Sequence, residues 1–130
     1  MGPINPLSSS DSGLNNILSH LSAINTNNRN RRTGGGSFNE VEKAAVWNKA
    51  AVIPGWDARF WRKDACGAHI KWSDYGNTSS NFGWEIDHIR PVAHGGTDAL
   101  ANLQALHWQN NRNKGDSLGS NYCAVSYGEK

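Results

Sequence analysis

The sequence is poor in cysteine: Cys66 and Cys123 are the only two among 130 residues. Two cysteines cannot supply a four-cysteine zinc site. A single disulfide between them stays open, but nothing marks the chain as secreted. We therefore expect free, partly buried thiols.

Long apolar runs are also missing. No stretch approaches the roughly 20 apolar residues that a membrane-spanning helix needs. The first residues contain neither the basic nor the apolar region of a signal peptide. These absences predict a soluble cytoplasmic protein with no membrane partner.

The chain has little net charge, +2 at neutral pH. Three arginines before residue 33 (Arg29, Arg31 and Arg32), set against Asp11, supply the excess. From residue 33 onward, ten Lys or Arg residues balance ten Asp or Glu residues. A polyanionic partner would therefore need a local basic cluster or a bound cation.

Tryptophan is absent from the first 37 residues, and all six tryptophans lie between Trp47 and Trp108. The early residues are rich in Gly, Ser and Asn instead. This shift predicts a flexible arm over residues 1–37 and a folded domain over 38–130. We expect the aromatic side chains to form the core of the domain, and stacking of some of them on bases stays an alternative.

Within the arm, apolar residues at helical spacing predict a short amphipathic helix over about residues 12–24. The apolar side of this helix either packs on the domain or forms a surface, at residues 14–24, for self-association or for a protein partner. Both alternatives stay open. An Arg/Gly-rich linker follows, over residues 25–37. Its arginines could contact phosphates, but we favour a solvated linker.

The domain sequence predicts a mixture of helices and strands. Ser37 and Glu40 fit a capping box, which opens a helix to about Val52 with Val41, Ala45 and Val52 on one side. The other expected elements are strands over Ala68–Trp72 and Trp84–Ile89, an extended segment over Asn102–His107 and a helix over about Trp108–Lys114.

The segment from Trp84 to Asp116 holds side chains suited to phosphate chemistry. Asp87 offers a hard oxygen ligand, and the adjacent His88 is the usual type of general base near neutral pH. Asn111 offers a neutral amide oxygen. Arg112 and Lys114 follow on the same short element, where they could hold phosphate oxygens.

The order of these residues resembles the HNH endonuclease motif. The matching pieces are D-H-I-x-P, Gly-Gly, N-L-Q-x-L and N-x-x-K-G-D, all within a motif core at residues 83–116. The upstream G-W-E-I resembles cysteine-poor members. The resemblance implies a small α+β fold, the ββα-metal arrangement, to which this chain adds an N-terminal helix and arm.

The resemblance also implies roles for individual residues. His88 would be the general base that activates water, and Asn102 would hold the loop between the strands and orient the histidine. Asp87 and Asn111 would bind the metal. Substrate phosphates would be contacted by the basic residues nearby, namely Arg112, Lys114, Arg90 and His94.

The implied activity is hydrolysis of DNA phosphodiester bonds with one divalent ion. Mg²⁺ is expected, with Mn²⁺, Ni²⁺ and Zn²⁺ as alternatives. Two other functions stay open: a non-catalytic nucleic-acid-binding or adaptor domain, and an RNA-cleaving toxin. A phage or mobile-element origin stays open.

The chain departs from the family in one respect. Many HNH proteins carry two C-x-x-C pairs that bind a structural zinc. Here Cys66 and His69 stand near the first pair, and His107 and Asn110 stand near the second. Asparagine is a poor zinc ligand, so we expect no structural zinc and an aromatic cluster in its place.

Overall fold

The computed structural model describes residues 29–127. The helix predicted over about residues 12–24 lies outside the described residues, as does the association surface at 14–24. The proposed domain boundary at residue 37 stays a prediction. Before that boundary in the chain, Asn30 and Thr33 form hydrogen bonds with residues of the domain.

Helix α1 spans Glu40–Lys49, and its N-cap is Asn39. The Asn39 side chain accepts a hydrogen bond from the backbone N–H of Glu42, whose carboxylate accepts from the backbone N–H of Asn39. The capping box predicted at Ser37 and Glu40 was therefore wrong by two residues. Ser37 instead accepts a hydrogen bond from Arg31.

The buried face of α1 also differs from the prediction. Val46 and Trp47 are buried, whereas Val41 is 79% exposed and Val52, beyond the helix end, is 52% exposed. The helix packs against the strand that ends at His107. The large Trp47 side chain therefore faces the domain, and Val41 is turned to solvent.

Two short strands form the first antiparallel hairpin. Strand β1 spans Trp61–Lys63 and strand β2 spans His69–Lys71. The sequence predicted β2 within one residue at each end but did not predict β1. The aromatic and basic residues of β1 show no clear alternation, and each of them is only partly buried.

The second hairpin and the following helix form the ββα unit. Strand β3 spans Trp84–His88 and pairs antiparallel with strand β4, Leu103–His107. Helix α2 spans Trp108–Lys114, as the sequence predicted. These elements, with α1 and the first hairpin, make the small α+β domain that was expected, and the fold class is confirmed.

The core contains an aromatic cluster around Trp84, which has no exposed surface. Its ring centroid lies 5.0 Å from that of Trp47 and 4.8 Å from that of Tyr75. Trp72 contacts the same two tryptophans at 5.5 and 5.9 Å. The expected aromatic core is therefore present in the described domain.

Cys66 and Cys123 form a disulfide. The expectation of free thiols was wrong. Their separation of 57 residues gave no local signal, but the segment after α2 returns to the turn between β1 and β2. Asn110 holds this segment by accepting hydrogen bonds from the backbone N–H groups of Ala124 and Val125.

Within residues 29–127, no helix has the length and apolar character required to cross a membrane.

Removing the disulfide should lower the free energy of unfolding. In the chain-entropy model, a cross-link between residues 57 positions apart lowers the conformational entropy of the unfolded chain. This stabilises the folded state by about 4 kcal/mol. Denaturant unfolding of a Cys66→Ala/Cys123→Ala variant measures the loss. Reductant should shift the wild-type midpoint toward that of the variant and leave the variant unchanged, and an unshifted wild-type midpoint would contradict the prediction.

Tyr75 should lose its proton only at unusually high pH. Burial raises the pKa of Tyr75 to about 12, although its hydrogen bond to Asn30 opposes the shift. Between the ordinary value of 10.0 and about 12, the folded state holds a proton that the unfolded state has lost, so stability falls as pH rises. Burial also raises the pKa of Tyr122. Ultraviolet titration of tyrosinate should therefore show a component at high pH that Tyr75→Phe diminishes and Tyr127→Phe retains.

Candidate active site

A cavity of about 310 Å³ lies beside the end of β3 and helix α2. Its lining includes Asp87, His88 and Asn111, three of the residues that the sequence singled out. Arg29 and Asn30, which precede the domain, line it as well. The fold therefore brings the two expected metal ligands and the expected general base to one cavity.

Asp87 is 7% exposed, and protein donors contact both of its carboxylate oxygens. Lys114 Nζ lies 3.2 Å from Oδ1, and Gln104 Nε2 donates to Oδ2 at 2.9 Å. Burial raises the pKa of the Asp87 carboxyl, while Gln104 and the charge of Lys114 oppose the shift. Each carboxylate oxygen has two lone pairs, so these contacts leave acceptor capacity for another ligand.

Asn111 is buried on α2, and its amide has a defined orientation. Its Nδ2 donates to Glu85 Oε1 at 2.8 Å. Burial raises the pKa of the Glu85 carboxyl, and the hydrogen bond from Asn111 opposes the shift. Because the amide nitrogen is used in this way, Oδ1 is the atom that Asn111 can offer to a metal.

His88 is the last residue of β3, and its side chain is 8% exposed. Its Nε2 lies 2.8 Å from Oδ1 of Asp98, in the loop between β3 and β4. The ring of Phe38 lies 6.0 Å from the imidazole ring. The histidine is thus held by a carboxylate that the sequence did not indicate.

Asn102 lies outside the cavity lining and holds the loop between β3 and β4. Its Oδ1 accepts from the backbone N–H of Arg90 at 2.8 Å. Its Nδ2 donates to the carbonyls of Arg90 and Thr97 at 3.2 and 2.8 Å. These contacts join the two ends of the loop that also carries Asp98.

The two basic residues of α2 differ in position. Lys114 is 4% exposed, and its ammonium contacts Asp87 and the carbonyl oxygen of His88, the latter at 2.9 Å. This places it inside the domain as a partner of Asp87. Arg112 is exposed and stacks over the ring of Trp108 at 4.9 Å.

Arg90 and His94 are exposed and are not part of the cavity lining. Arg90 Nε donates to the carbonyl oxygen of His94 at 2.8 Å. Their predicted contact with substrate stays a prediction. Within the described residues, Arg29 is the basic residue that lines the cavity.

The four positions considered for a structural zinc have other partners. Cys66 is in the disulfide, and His69 packs its ring 5.0 Å from that of Trp56. His107 lies 2.8 Å from the carbonyl oxygen of Asn81 and also caps α2. The described residues contain no group of three or more His, Cys, Asp or Glu side chains that could hold a metal.

Asp64 and Asn110 form a buried polar connection in this region. Asp64 Oδ2 accepts from Asn110 Nδ2 at 3.0 Å and from the backbone N–H of His107 at 2.9 Å. Asp64 Oδ1 accepts from the backbone N–H groups of Cys66 and Ala68. Together with the disulfide, this network joins the first hairpin, α2 and the C-terminal segment.

Sequence reasoning did not place four residues that matter at the site: it missed Glu85, Gln104 and Asp98, and it favoured a solvated position for Arg29. Glu85 and Gln104 could have been found from strand periodicity, because they lie on the same face of the hairpin as Asp87. Asp98 and Arg29 lie in a loop and in the preceding segment, where no periodicity exists. Only the tertiary structure brings them to His88 and to the cavity.

Gly96→Ala should disrupt the loop that Asn102 holds. A Cβ at residue 96 would lie 1.7 Å from the carbonyl oxygen of Arg90 and 3.0 Å from Asn102 Nδ2. We expect the free energy of unfolding to fall by about 3 kcal/mol, in the upper part of the range for overpacking. Denaturant unfolding measures it.

Gly95→Ala is the matched control for this substitution. Gly95 has a φ of +89°, but nothing lies within 4 Å of the added Cβ. This substitution should lower the free energy of unfolding only by the cost of placing alanine in a left-handed backbone conformation, about 1–2 kcal/mol. Equal losses in the two variants would show that crowding at Gly96 is unimportant.

One comparison with known proteins gave a match. Searches of curated proteins and of solved structures found no significant match. The family model described as HNH endonuclease matches residues 64–117, which include the second hairpin, α2 and every site residue predicted from the motif. This match confirms, over residues 64–117, the resemblance to the HNH endonuclease family that was found in the sequence.

Proposed function

We propose that this domain hydrolyses phosphodiester bonds of DNA with the help of one divalent metal ion. The observation that carries the proposal is the convergence of Asp87, His88 and Asn111 on one cavity. A carboxylate, an imidazole and an amide oxygen are the groups that such a reaction needs. HNH domains are nucleases in general, and the substrate, the metal and the residue roles are parts of our proposal.

The donor atoms fit a hard cation. Asp87 and Asn111 offer two oxygen ligands, and Mg²⁺ is commonly held by one or two protein oxygens with water completing its shell. Mn²⁺, Ni²⁺ and Zn²⁺ remain the alternatives to be tested. When bound, the ion would neutralise charge on the phosphate and on the leaving oxygen.

His88 would act on the attacking water. Because Nε2 faces the carboxylate of Asp98, Nδ1 is the ring nitrogen that can accept a proton. As Nδ1 takes the proton, the water oxygen bonds to phosphorus and the bond to the leaving sugar oxygen breaks. The electron pair of that bond goes to the leaving oxygen, which is then protonated by solvent.

Two basic residues contribute to phosphate binding in this arrangement, Arg29 directly and Lys114 through Asp87. Arg29 lines the cavity and is the group that we propose contacts substrate directly. Lys114 lies 3.2 Å from Asp87 and favours the charged form of that carboxyl, against the effect of burial. A local arrangement of this kind can hold one phosphate although the domain has no large basic excess.

The disulfide bears on where the protein works. Disulfides persist in oxidising compartments and are rare in a reducing cytosol. The sequence predicted a cytoplasmic location, because it shows no apolar span and no signal peptide, and it also predicted free thiols. Cys66 and Cys123 are paired instead. We therefore propose that the domain acts where this bond stays oxidised.

Cleavage of supercoiled plasmid tests the proposed function. The wild-type protein should nick or linearise the plasmid with Mg²⁺ and lose this activity in a chelator. His88→Ala should reduce the rate about 10²–10⁴-fold, the usual contribution of a general base. Asp87→Ala and Asn111→Ala should raise the metal concentration needed.

Asp57→Ala is the control, since Asp57 is an exposed residue paired with Arg59 and lies outside the cavity lining. It should keep nearly full activity if the cavity is the reaction site. Cleavage of RNA in preference to DNA would replace the substrate in our proposal. Tight binding without cleavage under any of the four metals would favour the adaptor function.

A further inference from the structure

We propose that Asp98 is a positioning residue for His88, and that Thr33 and Arg32 hold Asp98 in place from the segment preceding the domain. This inference extends the proposed function, because His88 is the general base there. It assigns a role in the reaction to Arg32 and Thr33, which lie outside the family match because that match begins at residue 64.

The contact between Asp98 and His88 is short and shielded. The Nε2–Oδ1 distance is 2.8 Å, and the two side chains are 18% and 8% exposed. A carboxylate only accepts hydrogen bonds, so Nε2 must be the donor. A neutral imidazole carries one N–H, and the lone pair is therefore on Nδ1.

Asp98 is itself held by three hydrogen bonds from one residue. The backbone N–H of Thr33 lies 3.0 Å from Oδ1 and 3.2 Å from Oδ2, and its hydroxyl lies 3.0 Å from Oδ2. These residues are 65 positions apart in the chain. The segment around Thr33 thus fixes the carboxylate that faces the histidine.

Arg32 strengthens the same arrangement. Its guanidinium lies 3.6 Å from Oδ2 of Asp98 and also pairs with Glu42 at the start of α1. Partial burial would raise the pKa of Asp98, but the hydrogen bonds from His88 and Thr33 outweigh burial and lower it. Asp98 therefore stays an acceptor at neutral pH.

The loop does not depend on Asp98 for its closure. Asn102 joins the two ends of this loop through Arg90 and Thr97. Asp98 instead uses its side chain on His88, Thr33 and Arg32. A substitution of Asp98 should therefore disturb the histidine more than the fold.

Two substitutions at Asp98 test the role. Asp98→Ala removes the acceptor, whereas Asp98→Asn keeps a neutral acceptor of the same size. We expect kcat for plasmid cleavage to fall about 10- to 100-fold in Asp98→Ala, the range for loss of an orienting partner. Asp98→Asn should lie between this variant and the wild type, and KM should change little.

Nitrogen NMR of the His88 ring gives a readout that does not depend on cleavage. At one fixed pH, the wild type should show the form protonated on Nε2 and not on Nδ1. Asp98→Ala should show a mixture of the two tautomers. Asp57→Ala, which removes an exposed Asp–Arg contact elsewhere, should leave both the tautomer and kcat unchanged.

The outcomes separate this inference from the proposed function. Unchanged kcat and tautomer in Asp98→Ala would overturn the inference even if the wild type cleaves DNA. If the wild type cleaves nothing, the proposed function fails, and the tautomer comparison still decides whether Asp98 positions His88. If Asp98→Ala does not fold, Asp98→Asn decides by the same two readouts.

Discussion

The antiparallel pairing of β3 with β4 determines where the residues of the site lie. Its register places Asp87 opposite Gln104 and His88 opposite Leu103. Side chains of a strand alternate between its two faces, so Glu85 and Asp87 face α2 while Ile86 and the other core residues of β3 face the aromatic cluster. Because both faces of β3 are buried, a shift of one residue would place the carboxylates against the aromatic cluster and Ile86 against α2.

Burial of polar groups is the main cost of this arrangement. Asp87 and Lys114 lie 3.2 Å apart with side chains 7% and 3% exposed. Removal of one partner of such a pair commonly costs about 3–5 kcal/mol, because the other charge is left buried. The contacts from Lys114 and Gln104 favour the charged form of Asp87 and also fix its position, as the proposed role in metal binding would require.

A similar principle applies at the opposite end of α2. Asp64, Asn110 and the disulfide connect the first hairpin, α2 and the C-terminal segment. Every side-chain oxygen of Asp64 and Asn110 has a donor. Such a fully satisfied network gives a small domain rigidity that its limited apolar core cannot supply alone.

Local pattern was enough to predict part of this structure. Helix α2 was predicted at its observed residues, and β3 was predicted within one residue, because turn signals and short-range patterns mark their ends. The N-cap of α1 was misplaced because two overlapping capping boxes fit the sequence, at Ser37 with Glu40 and at Asn39 with Glu42. The hydrogen bonds between Asn39 and Glu42 form the second box, while Ser37 contacts Arg31.

The sequence by itself determined the motif residues and the α+β character of the domain, since spacing along the chain is enough for both. The tertiary structure decided which residues meet. Cys66 pairs with Cys123, and Asp98 meets both His88 and Thr33. These contacts depend on loops and on segments far apart in the chain, where side-chain periodicity carries no information about the partner.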